Sequence, residues 1–230
     1  MMGITIKRNG SPESPTSEKK CAFLDNGFCK ECNCSRCTGG VIINHETGRA
    51  RECGCMTEAR NIHRITAAGL PDEYTFDSYK TTNEWQRIVK TKARAFVADK
   101  GGKWFFIGGQ SGGGKTHICS AIVRELIRSG KSIQVFRWAD AADRLKGYKN
   151  DSDRYDKELR KFLDADILFI DDLFKTKKEV SDADIGLAMQ IIDDRYNKHR
   201  VTIISTERML DDIRRAHDFE GEAIASRIMM

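Results

Sequence analysis

Apolar residues in this chain gather in short, mostly apolar runs separated by longer amphipathic or polar stretches. Runs at 103–107, 132–137, 166–170 and 201–205 read as strands. Within the run 166–170, Ile167 through Ile170 are apolar on both faces, which a parallel strand buried between two layers requires. Over 116–129, Ile118, Ile122 and Leu126 recur at helical spacing and Gly130 supplies a stop. A helix over about 139–147 follows the second strand, and the polar stretch 147–157 reads as an exposed loop. From Pro71 onward this alternation predicts an α/β fold with a mostly parallel sheet.

Ahead of that region the pattern changes. Residues 7–20 carry Ser, Pro, Lys and Glu without apolar periodicity, so 1–20 reads as a disordered lead. A cysteine-rich element spans 21–58. A short helical stretch, 58–68, and the breaker Gly69-Leu70-Pro71 make 59–71 a linker helix and hinge, leaving 72–230 as the α/β domain. No internal repeat is visible. The 230 residues suffice for one core of about 160 residues and a small appendage. No apolar run approaches the roughly 20 residues that span a bilayer, and the first residues lack the apolar core of a signal peptide, so a cytoplasmic protein is expected. The net charge of +5 permits contact with nucleic acid without demonstrating it.

Two motifs carry chemistry. Gly109-Gln110-Ser111-Gly112-Gly113-Gly114-Lys115-Thr116 satisfies G-x-x-x-x-G-K-[ST] between a predicted strand and a predicted helix. That context makes it a phosphate cradle: glycines let the backbone turn its N–H groups inward, and the helix N-terminus favours an anion. Lys115 is expected on the β- and γ-phosphates of a nucleoside triphosphate and Thr116 on Mg²⁺. His117, just past the motif, is expected to pack or hydrogen-bond behind the loop. The second motif is Ile167-Leu168-Phe169-Ile170-Asp171-Asp172, an apolar strand ending in two carboxylates, where ligands of such sheets sit. Asp171 is the expected Mg²⁺ partner, and Asp172 is placed to polarise an attacking water.

Of eight cysteines, seven lie between residues 21 and 55. In a reducing compartment such a cluster points to metal rather than disulfides. Cys34 and Cys37, then Cys53 and Cys55 after fifteen residues, form the best four-thiolate set for a structural Zn²⁺. Cys21, Cys29 and Cys32 are left over. An iron–sulfur cluster on Cys29, Cys32, Cys34 and Cys37, or thiols without metal, are the alternatives. His45 is a loop residue that can substitute as a ligand. Cys119, in the helix after the P-loop, reads as a small core residue.

Gly-Lys-Thr-His at 114–117, Ile-Asp-Asp-Leu-Phe-Lys at 170–175, Ile-Ile-Ser-Thr-Glu at 203–207 and Glu-Ala-Ile-Ala-Ser-Arg at 222–227 together resemble the DnaC/DnaI-type replicative helicase loaders, in particular phage and prophage members. The resemblance covers about 60–230, and the cysteine-rich front resembles the zinc element of some phage members. It implies an AAA+ ATPase that binds the hexameric replicative helicase and helps place it on single-stranded DNA. It carries Lys115 and Thr116 over as Walker A, Asp171 and Asp172 as Walker B, Ser205-Thr206-Glu207 as the sensor-1 region, and Arg227 as the arginine finger offered to a neighbour, which requires self-association.

The sequence departs from the family at three points. Asp172 stands for the usual Glu, so weak turnover is expected. No Asn occupies the sensor position, leaving Thr206 or Glu207 to orient water. The family also continues with another strand and a basic residue beyond the last residue here. Arg144, Lys146, Tyr148 and Lys149, with Trp138, are candidates for single-stranded DNA, or else a solvated helix with a core Trp. Arg195-Tyr196 reads as a subunit interface or an exposed helix end, and Arg214-Arg215 as a solvated face or a rival finger. The competing functions are a transposition helper of IstB type and a zinc-dependent adaptor gated by nucleotide.

Overall fold

The structure is a computed structural model that describes residues 24–25, 28–29, 37–38, 40–44, 46–99, 104–148, 150–175, 180–216 and 218–229. The expected disordered lead lies outside the described residues, as do Cys21, Cys32, Cys34, His45 and Lys149. The chain divides into two compact units, Met1–Arg60 and Asn61–Met230.

The first unit is built of short antiparallel pieces. Strand β1 (Leu24–Asp25) pairs with β2 (Phe28–Cys29), while β3 (Cys37–Thr38), β4 (Val41–Ile43) and β5 (Ala50–Glu52) form a three-stranded meander. Gly40 turns the chain between β3 and β4 at φ 87°. Asn44 folds the next turn, its side-chain oxygen accepting from the N–H groups of Glu46 and Thr47. Among the described residues here, only Ile42, Cys53 and Cys55 are buried hydrophobic side chains, too few for an apolar core to hold the unit. Helix α1 (Gly54–Ala67) begins directly after Cys53, earlier than the expected 58–68, and runs into the second unit.

The second unit is the predicted α/β layer structure. Its elements are α2 (Glu84–Ala98), β6 (Phe105–Gly108), α3 (Lys115–Arg128), β7 (Ile133–Arg137), α4 (Trp138–Gly147), α5 (Ser152–Asp164), β8 (Ile167–Asp171), α6 (Asp182–Asn197), β9 (Val201–Thr206), α7 (Leu210–Ala216) and α8 (Asp218–Met229). The four strands are parallel in the order β6-β9-β8-β7, with Ile167 level with Val201 and Ile133. Each expected strand is found, shifted by a residue or two. Alternation along β8 sends Leu168 and Ile170 to the core under α4, α5, α6 and α8, and Ile167 and Phe169 to the core under α3.

Two expectations are corrected. Residues 152–157, read as loop, are the first turns of α5. Asp151 caps them by accepting from Arg154 N at 3.1 Å, and Leu159, Phe162 and Leu163 bury the far end. Gly69-Leu70-Pro71 is held rather than hinged. Arg124 donates to Leu70 O and Pro71 O, Arg137 donates to Gly69 O at 2.6 Å, and Leu70 lies in the core.

Among the described residues, no helix is long and apolar enough to cross a membrane.

Candidate nucleotide site

Strand β6 delivers the chain into the loop 109–114 at the carboxyl edge of the sheet. Gly109, Gly112 and Gly114 take φ of 142°, 77° and 76°, conformations side chains rarely adopt. Gly114 is doubly constrained, since a Cβ there would come 3.0 Å from Tyr79 Cε2. It forms the N-cap of α3, so the N-terminal amides of that helix open onto the loop. The Lys115 ammonium bends back over the loop and donates to Gly109 O at 2.9 Å and Gln110 O at 2.8 Å. Gln110 and Ser111 are exposed.

Strand β8 meets this loop through one oxygen. Thr116 Oγ1 donates to Asp171 Oδ1 at 3.0 Å, and Ser205 Oγ donates to the same oxygen at 2.8 Å. Ser205 Oγ also accepts from the Asp172 N–H at 2.9 Å, so one hydroxyl on β9 fixes both carboxylate residues. Burial pushes the Asp171 carboxyl up and neighbouring Asp172 adds to it, while the two hydroxyls and Arg137 pull it back. Asp172 turns the chain at φ 57°, and its Oδ2 accepts from Lys175 Nζ at 2.9 Å. Lys175 is shared with Glu207 at 3.3 Å.

The sensor region is therefore arranged differently from the expectation. Thr206 is fully buried and donates its hydroxyl to Leu173 O at 2.8 Å. Glu207 faces Lys175. Ser205, named within the sensor-1 segment but not expected to act there, is the residue of this strand that touches Asp171. A second residue missed is Trp85 of α2, 47% exposed, which lies beside the loop at Gly113. No sequence signal marks Trp85, because α2 is far from the motif along the chain.

His117 sits behind the loop as expected. Its ring stacks on Tyr74 at 4.6 Å, meets Tyr79 edge-on at 5.3 Å, and brings Nε2 to 2.9 Å from Thr75 O. It thereby clips the 74–79 segment onto α3 and is turned toward that segment. Cys119 is fully buried, and burial pushes its thiol well up, as suits a core residue.

Other candidates fall into place or away from it. Arg227 is ion-paired with Asp193 of α6 and donates to Ala223 O at 3.0 Å. Arg214 pairs with Asp211 and Glu222. Trp138 is 1% exposed and packs edge-on against Phe174, which removes it as a base-stacking residue. Lys146 is tied to the buried Asp184 at 2.8 Å, and Tyr148 lies under the Arg154 guanidinium, while Arg144 is exposed. Neither reading of Arg195 holds. It is fully buried, its guanidinium donating to the carbonyls of Phe162, Ala165 and Val201 and to Thr202 Oγ1. Burial lowers its pKa to about 10, which leaves it charged at neutral pH.

For the zinc set, Cys53 and Cys55 are buried and flank the start of α1. The Cys53 N–H donates to Gly40 O at 2.8 Å, placing it at the turn that follows Cys37 in β3. Among the described residues, no group of three or more His, Cys, Asp or Glu side chains converges as a metal site, and Cys34 lies outside them.

The chain is similar in sequence and fold to several known proteins. The replicative helicase loader DnaC of Escherichia coli K12 is 27% identical over 184 residues, covering 78% of this chain and 73% of that protein. The phage-like element PBSX protein XkdC of Bacillus subtilis 168 is 27% identical over 214 residues, 85% of this chain and 78% of that one. A crystal structure of the DnaC helicase loader superposes with a TM-score of 0.58 at 29% identity, over 69% of this chain and 95% of that one. The crystal structure of DnaI shares the fold, with a TM-score of 0.57 at 18% identity over 69% of this chain and 89% of that one. The family model described as IstB-like ATP binding protein matches residues 49–229. The chain belongs to the IstB-like ATP-binding protein family.

Proposed function

We propose that this chain is an ATP-dependent replication factor that binds the hexameric replicative helicase and loads it onto single-stranded DNA. The observation that carries the ATPase part is the single Asp171 oxygen shared by Thr116 and Ser205. A P-loop hydroxyl and a Walker B carboxylate in contact are the pair that would hold Mg²⁺. Bound there, the ion would neutralise charge building on the phosphates. Lys115 would exchange its two loop carbonyls for phosphate oxygens, and Asp172 would orient the attacking water. The helicase and single-stranded DNA rest on the similarity to DnaC. Exposed Arg144 is the described residue of the original DNA set that remains available to a phosphate. Arg227, once released from Asp193, would serve a neighbouring subunit's nucleotide.

The zinc set belongs to the same reading. A unit with three buried hydrophobic side chains among its described residues needs a further link, and Cys37, Cys53 and Cys55 lie on or next to one hairpin. With Cys34 they would hold a structural Zn²⁺. Metal analysis of the purified protein tests this: one zinc per chain is expected, lost in Cys53→Ser.

The decisive experiment mixes the protein with the replicative helicase of its host, with and without ATP, and measures the mass of what co-elutes. Lys115→Ala runs beside it. Nucleotide-dependent complex formation, absent in Lys115→Ala, is expected; no complex from folded, nucleotide-binding protein would shift the reading to the transposition helper. The Lys175–Asp172 ion pair favours one second reading, an adaptor that binds ATP and turns it over slowly.

A further inference from the structure

Strand β7 forms one edge of the sheet. On its inner side Ile167 N donates to Ser132 O at 3.0 Å, and the register pairs Ile133 with Ile167 through to Arg137 with Asp171. In a parallel ladder, alternate residues supply the bonds to one neighbour. Ser132, Gln134 and Phe136 therefore serve β8, and the peptide N–H and C=O groups of Ile133 and Val135 point outward. Edges are commonly blunted by proline, a bulge or a covering element. The run Ile133–Arg137 contains no proline and no residue at positive φ. A cavity of about 400 Å³ runs along this edge, with the C-terminal half of α1 as its other wall. Among the described residues, its basic lining is His63, Arg64 and Arg137, with no carboxylate. Asp166, beside the start of the strand, is taken up by the N–H and hydroxyl of Ser132 at 2.8 and 2.7 Å.

We propose that this edge is a docking groove for an extended acidic peptide segment of a protein partner, which adds to the sheet beside β7. Outward peptide groups at every second residue complement another backbone, and the basic lining selects acidic side chains on it. A second copy of β7 fits poorly, because pairing edge to edge would bring the basic linings together. Single-stranded nucleic acid fits poorly too, since the groove offers no aromatic face for a base. The groove meets the nucleotide site only at Arg137, which the variants below leave in place, so its failure would leave the ATPase reading untouched.

Val135→Pro isolates the idea. It deletes an N–H that faces the groove and none that bonds to β8, a position where an edge strand tolerates proline. Val135→Ala controls for the lost side chain, Arg64→Glu reverses the charge, and thermal melting and nucleotide binding report the fold. The probe is a fluorescein-labelled Glu-Val-Glu-Val-Glu-Val peptide, with a Lys-Val-Lys-Val-Lys-Val twin, read by anisotropy. Binding of the acidic peptide alone is expected, weakened about tenfold or more by Val135→Pro and by Arg64→Glu and kept by Val135→Ala. Absence of binding up to about 1 mM peptide overturns the proposal. So does binding indifferent to both Val135→Pro and Arg64→Glu. Self-association that Val135→Pro abolishes would assign the edge to a second copy instead, and displacement of the peptide by a single-stranded oligonucleotide would assign it to nucleic acid.

Discussion

Ser205 holds Asp171 in place. Its hydroxyl donates to the carboxylate at 2.8 Å and accepts from the N–H of Asp172, so the carboxylate that would meet magnesium is positioned by a neighbouring strand. Ser205→Ala removes both bonds within a buried site. The expected result is a loss of about 1 kcal/mol in stability and a fall in ATP hydrolysis of about tenfold or more. Urea denaturation and steady-state hydrolysis measure the two separately, and Ser205→Thr should recover part of each.

Asp171 sits where its charge is unwelcome without a cation. Its carboxyl is raised above the ordinary value, chiefly by burial. A raised acid is easier to keep in the folded state when protonated, so its contribution is complete below its unfolded pKa and lost as pH rises through the folded one. Asp171→Asn should therefore raise the melting temperature at neutral pH while abolishing Mg²⁺-dependent hydrolysis. The difference from wild type should shrink as the pH is brought down toward the carboxylate range. A variant that melts lower than wild type at neutral pH would contradict this account.

Lys175 shields the carboxylate expected to activate water. With Asp172 at 2.9 Å and Glu207 at 3.3 Å, it stands between two acids at the site's edge. Lys175→Ala should raise the turnover number several-fold while leaving ATP affinity near wild type, because the base regains its lone pairs. Unchanged turnover would mean that the pair is ornamental in solution, as exposed ion pairs often are.

Arg227 is engaged within its own chain by Asp193. If a neighbour's nucleotide competes for it, Asp193→Asn should increase hydrolysis at high protein concentration, and Arg227→Ala should depress it at every concentration. Sedimentation and hydrolysis measured across the same dilution series check both. Equal effects of Asp193→Asn at all dilutions would argue for a local role.

Arg195 carries no chemistry and much of the architecture. Replacing it by Ala or Lys leaves the carbonyls of Phe162, Ala165 and Val201 without their fork of donors. A loss of about 3 kcal/mol or more is expected for either change, read by chemical denaturation. Lysine fails because one ammonium cannot span carbonyls from three directions.

The sheet was legible because parallel strands buried on both faces must be unbroken apolar runs, and β8 is buried from Ile167 through Ile170. The loop 109–114 was legible because only glycine takes its φ values cheaply. Helix α5 was hidden by its polar first turns, although Leu159, Phe162 and Leu163 follow at helical spacing. Arg195 could not be seen, since its partners are carbonyls, which every residue carries. Ser205 was within reach. Along β9, Ile203 faces the α3 core and Ile204 the opposite one, so Ser205 shares the face of Asp171 while Thr206 turns away. Counting by two from Ile203 identifies the right residue.

The posture of Lys115 sets how the loop behaves between ligands. Its ammonium occupies the two loop carbonyls of Gly109 and Gln110, acting as an internal plug that keeps the glycine turn from collapsing or wandering. Nucleotide would then enter a vessel already shaped, and loading would need the departure of one ammonium from two carbonyls rather than the ordering of six residues of chain. Release reverses the same small motion, so a loop built mostly of glycine can cycle repeatedly without paying each time to be rebuilt.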